Sequence, residues 1–183
     1  KTVTRSNRRF TYEEAQTVIE TGKGDFSDEM LTLDRLAKLL RRKRFDNGAI
    51  AFDRVEVRFE IDETGKPLSV FFKEQKEANK LIEEFMLLAN KTVATHIGKP
   101  GRGLKAKPFV YRVHDVPNPD KLENFSQFIK KFGYQLKTTG KQSSISGSIN
   151  HLLDVVEGKK EQNLIETLAI RSMAKAVYTT DNI

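Results

Sequence analysis

Apolar positions change period several times along this chain, and each change marks an element. Thr11, followed three residues later by Glu14, is a capping-box signature in which hydroxyl and carboxylate satisfy backbone donors at a helix start. It predicts a helix over Tyr12 to Thr21, ended by Gly22 and Gly24. Ser27 and the acidic pair Asp28-Glu29 open a second helix, with Leu31, Leu33, Leu36, Leu39 and Leu40 expected to form its buried face. After Ile50 the period drops to two. Val55, Val57, Phe59 and Ile61 alternate with Glu56, Arg58 and Glu60, the pattern of a half-buried strand. Asp62 to Lys66 supplies a hairpin turn, and Leu68, Val70 and Phe72 form the return strand.

A long helix is predicted from about Gln75 to Ile97. Leu81, Phe85, Leu88 and Thr92 share one stripe, Ile82, Met86, Ala89 and Val93 widen it, and Glu83 falls with Leu87 and Asn90 on the opposite side. A run this apolar is expected to be largely buried, which makes Glu83 and Asn90 a polar pair needing a reason. Pro108 to Val113 reads as a third strand. Asn118-Pro119 is an N-cap followed by proline at the first helical position, with Leu122, Phe125, Ile129 and Phe132 marking a buried face up to Gly133. Gln135 to Ser148, polar and rich in Gly, Ser and Thr, is expected to be a flexible surface excursion. Two helices, roughly Ile149 to Glu157 and Glu161 to Tyr178, complete an α+β fold in which helices pack on a small, mainly antiparallel sheet.

Composition narrows the chemistry. The 183 residues suffice for one domain with a sizeable core, and no run approaches the roughly 18 apolar residues of a membrane helix. Cysteine is absent, which removes disulfides and thiolate metal sites and suits a reducing cytoplasm. A net charge of +7 and a pI near 9.5 favour polyanionic partners, although 25 acidic residues keep any basic track local. The basic run Lys38, Arg41, Arg42, Lys43 and Arg44 fits a solvated helix end complementing the dipole better than an RNA site. His96, His114 and His151 are isolated, which argues against a zinc hydrolase. Gly98 to Gly103 superficially resembles a phosphate cradle but lacks the G-K-[ST] ending; with Lys105 and Lys107 it is a basic loop, either solvated or brushing an RNA backbone. Two-metal phosphodiester cleavage needs converging carboxylates, whereas Glu83 and Glu84, adjacent on a helix, point about 100° apart.

Lys80 to Asn90 resembles the "IEE-x-M-x-x-AN" helix of the RNase II/RNase R family, the RNB-domain exoribonucleases. Other segments are similar to the same family in the same order. They are Ser6 to Ala15, Asn47 to Phe52 (a "GG-I-x-F" strand start), Tyr111 to Asp115 ("R-x-H") and Ile170 to Tyr178 ("RSM-x-x-A-x-Y"). The family's aspartate cluster D-x-x-x-A-x-D-x-D-D-A and its "SPIRRY-x-D" motif are not found. The resemblance therefore implies that residues 1–183 are a single partial domain, a middle-to-late part of an RNB catalytic domain. It implies a parent that is a magnesium-dependent 3′-to-5′ exoribonuclease releasing nucleoside 5′-monophosphates, in a bacterial cytoplasm, with magnesium held by residues outside this chain. The fragment is expected to carry no catalytic or metal-binding residue and to be inactive alone. Phe52 matches an aromatic that stacks on a base near the RNA 3′ end, against the alternative of a core phenylalanine. Glu83 matches a carboxylate near a ribose hydroxyl, against the alternative of a buried partner for an arginine. Arg171 fits either an RNA contact or a core salt bridge. A stand-alone, non-catalytic RNA-binding or protein-interaction module is the competing reading. A domain cut through its sheet would also expose edges, so self-association is expected through the strands of Val55 to Phe72 or the helix bearing Leu164, Leu168 and Ala176.

Overall fold

The computed structural model describes residues 2–52, 56–73, 75–99, 101, 103, 105 and 107–181. Among these, six helices and two separate two-stranded antiparallel sheets give the expected α+β class. Two compact units share the chain: residues 1–42 with 53–89, and residues 43–52 with 90–183.

In the first unit, helix α1 (Tyr12–Thr21) begins at the expected capping box. The Glu14 amide donates to Thr11 Oγ1 at 3.1 Å and the Thr11 amide donates to Glu14 Oε2 at 2.8 Å. Its end is set by Gly22 in the left-handed region at φ 66°. Helix α2 spans Ser27–Asp46, its last residues lying in the second unit. The expected leucine face is corrected here: Leu33, Leu36 and Leu39 are exposed, while Asp34 and Ala37 are buried. Helical spacing groups Asp34, Ala37 and Arg41 on one side, so the leucines at 33, 36 and 39 turn away from it. Helix α3 spans Glu77–Gly98 and is tied to α1 by the buried Gln16, whose Oε1 accepts from the Ala78 amide at 3.0 Å.

Strands β1 (Glu56–Ile61) and β2 (Pro67–Lys73) pair as the expected hairpin, with Val57 opposite Phe72 and Phe59 opposite Val70. Val55 lies outside the described residues. Half-burial does not follow from the alternation: Val57, Phe59, Ile61, Leu68, Val70 and Phe72 are all at least half exposed. Period two decides which side chains share a face, but burying that face takes a covering layer.

The second unit holds the main core. Helix α4 (Pro119–Lys130) starts at Asn118, whose Oδ1 accepts from the Lys121 amide at 3.1 Å, and contributes Leu122, Phe125 and Ile129; Phe132 lies past its end and is exposed. Helix α5 (Gln142–Val156) contributes Ile149, Leu152, Leu153 and Val156, and α6 (Gln162–Ser172) contributes Ile165 and Ala169. Helix α5 runs from Gln142 to Val156, so much of the expected excursion is helical. Ser146, Ile149, Leu152, Leu153 and Val156 form a buried helical stripe, and packing of that stripe outweighs the poor helix propensity of Ser and Gly. Helix α6 stops at Ser172, short of Tyr178; Val177–Thr179 forms β4, antiparallel to β3 (Tyr111–Val113). The β-branched and aromatic run Val177-Tyr178-Thr179 takes the extended form that favours such side chains.

Candidate functional site

Phe52 belongs to the second unit, in the segment after α2. Asn150 of α5 grips the backbone of this segment from both sides: its Nδ2 donates to the Ala49 carbonyl at 2.8 Å and its Oδ1 accepts from the Ala51 amide at 3.0 Å. Gly48, at φ 90°, makes the preceding turn and lies against Ser143, where a Cβ would come within 3.5 Å of Ser143 Cα. The Phe52 ring is half-buried and packs on the core cluster with Ile50. It is therefore an anchored aromatic with part of its surface accessible.

Glu83 sits on α3 within the first unit, half-buried and already engaged in an interaction of the fold. The helix is not buried as its composition suggested: Ile82, Met86, Leu87, Leu88, Val93 and Asn90 are exposed. Its buried side is Ala78, Leu81 and Glu84, which makes Glu84, 3% exposed, the deeply placed carboxylate that sequence reasoning passed over. The signal was available in the spacing from Ala78 through Leu81 to Glu84.

Glu84 lines a small cleft with Glu77, Lys80 and Leu81 of α3 and Asp34, Lys38 and Arg41 of α2. Opposite charges interleave here. Lys38 Nζ stands 2.7 Å from Asp34 Oδ2 and 3.7 Å from Glu77 Oε2, and Lys80 Nζ stands 3.6 Å from Glu77 Oε1. The hydrogen bond to Asp34 holds the Lys38 ammonium above its ordinary pKa. Asp34 and Glu77 are partnered by cations, and among the described residues no group of three or more His, Asp or Glu side chains could hold a metal ion.

The histidines do not converge. His114 Nδ1 lies 3.2 Å from the Ala174 carbonyl and its Nε2 lies 3.4 Å from Arg112 Nη1, bracing the start of the β3–β4 pair. In the basic loop, Lys99, Lys105 and Lys107 are exposed; Pro100, Arg102, Leu104 and Ala106 lie outside the described residues. Arg171 is exposed in the last turn of α6 and makes no ion pair among the described residues, so the core salt bridge is not its role. It borders a cleft of about 810 Å³ between α4 and α6. No helix among the described residues is long and apolar enough to cross a membrane.

Six helices and two short antiparallel pairs among the described residues define an α+β fold. The RNB domain pattern matches residues 1–183, and the chain belongs to the RNB domain family. Similar proteins include ribonuclease R of Aquifex aeolicus, 32% identical over 189 residues and aligned with 100% of this chain and 26% of that protein. DIS3-like exonuclease 2 of Schizosaccharomyces pombe is 33% identical, over 97% of this chain and 20% of its own length. The chain thus spans roughly a quarter or less of the curated relatives it matches. Among solved structures, Mycoplasma genitalium RNase R in complex with ribose-methylated single-stranded RNA superposes with a TM-score of 0.80 at 22% identity, over 96% of this chain and 27% of that one. That likeness establishes the fold.

Proposed function

We propose that this chain is one portion of a hydrolytic 3′-to-5′ exoribonuclease of ribonuclease R type, and that its part is to hold the 3′ end of single-stranded RNA. The observation that carries this reading is the match of the RNB domain pattern to the entire chain. The ribonuclease R relatives support the activity of the longer protein, and the RNA complexes of the structural neighbours support RNA as its substrate. In this reading Phe52 offers a π-face to a base near the 3′ end, a contact that tolerates any sequence. Glu83 accepts a hydrogen bond from a ribose 2′-hydroxyl, which separates RNA from DNA. Magnesium, which in such hydrolysis activates water and steadies the scissile phosphate, belongs to residues outside this chain, and nucleoside 5′-monophosphates are the product.

A 5′-labelled single-stranded RNA tests this division of labour. With magnesium, the chain alone is expected to leave the RNA at full length, and the longer protein encoded with it is expected to shorten it from the 3′ end. Shortening by the chain alone would refute its non-catalytic role. An inactive longer protein, correctly folded, would refute the exoribonuclease assignment.

A further inference from the structure

The cleft between α4 and α6 is left unused by that reading. Its floor is apolar, built by Phe128, Leu164, Leu168 and Met173, and the charged side chains that border it, Lys121, Arg171 and Lys175, are all basic. None of these three cations has an ion-pair partner among the described residues, and Leu164 of α6 is 46% exposed. An apolar floor inside a cationic rim calls for an occupant of opposite charge that also carries apolar side chains. Nucleic acid meets the charge requirement, but most of the floor is Leu and Met, which give a base no ring to stack on; of the two rings, Phe125 is only 5% exposed and Phe128 is half-buried, packed on the core cluster and tilted against Phe132. A peptide with apolar anchors set between aspartates or glutamates meets both requirements, in the manner of helix-in-groove recognition, and Met173 lends the floor an adaptable surface. We propose that the α4–α6 cleft docks an acidic, amphipathic peptide segment of a protein partner.

A displayed library of random short peptides, selected against the full chain, tests this. The counter-target is the Lys121→Glu/Arg171→Glu/Lys175→Glu variant, whose exposed changes leave the core untouched; circular dichroism and thermal unfolding check its fold. Enriched peptides are expected to combine Asp or Glu with apolar anchors. Their binding, read by fluorescence anisotropy, is expected to be lost in the triple variant and in Leu164→Asp, and to survive partly in high salt because apolar contacts are not screened. Failure to enrich acidic peptides, or enriched peptides that bind both variants undiminished, would overturn the proposal. So would a labelled oligouridine whose affinity depends on the three cations and collapses with salt, since that would assign the cleft to RNA. Self-association of the chain that vanishes in the triple variant would assign it to a second copy and would equally overturn the proposal.

Discussion

Phe52 shows how a residue can serve packing and contact together, and how the two are separated by measurement. Its ring lies on the core cluster, so Phe52→Ala removes both packing and a π-face, whereas Phe52→Leu keeps most of the packing. Base stacking is worth about 1 to 3 kcal/mol by alanine substitution. We expect Phe52→Leu to lose RNA affinity in that range with little change in urea midpoint; unchanged affinity would make Phe52 a core residue alone. Glu83→Gln in the longer protein is expected to narrow its preference for a ribose over a 2′-deoxyribose at the 3′ end, and a constant ratio of cleavage rates would remove the ribose role. Asp62 gives a prediction in pH. The Thr64 hydroxyl, then the Lys66 amide, donate to its carboxylate and hold its pKa below the ordinary 3.8. A depressed carboxyl contributes stability that is present above the ordinary value and lost as pH falls through the folded one. Amide chemical shifts of Thr64 and Lys66 should therefore titrate with a midpoint below 3.8, and a midpoint at or above 3.8 would show that these hydrogen bonds do not favour the charged carboxylate.

Elements with local punctuation were legible in the sequence, and those decided by tertiary contact were not. Thr11 with Glu14, and Asn118 with Pro119, fixed the starts of α1 and α4, because a cap is written in neighbouring residues. The first turns of α5 carry Ser143, Ser144 and Gly147, which look like a loop until Ser146 and Ile149 are seen to face the core. On α3 a shift of one residue, about 100° of helix rotation, separates the noticed Glu83 from the buried Glu84. The candidate site was legible only through family resemblance, since nothing in the alternation around Phe52 distinguishes a stacking ring from a packed one. The clamp of Asn150 on residues 49–51 joins residues about a hundred positions apart in the chain, beyond the reach of local pattern. Asn150→Ala removes both hydrogen bonds and leaves the part-buried Ala51 amide without that partner, so a loss of about 1 to 3 kcal/mol is expected in urea unfolding. A loss below about 0.5 kcal/mol would show that the segment is held by Ile50 and Phe52 packing instead.

At the scale of the whole molecule, exposed apolar surface is the dominant unexplained quantity. The hairpin carries Phe59, Val70 and Phe72 at 60%, 56% and 68% exposure, on a sheet that has two strands among the described residues. Such surfaces recruit neighbouring chains. The mass from light scattering is expected to rise with concentration for this chain and to stay flat for Val70→Lys; a flat mass for both would show that the hairpin face is not an association surface. The central claim, that the scaffold grips an RNA 3′ end, is tested most directly by equilibrium binding of one RNA in two forms, with its 3′ end free or sequestered in a duplex. The account predicts that the free single-stranded end binds more tightly, with the difference reduced in Phe52→Leu. Equal affinity for the two forms, unaffected by that substitution, would contradict it.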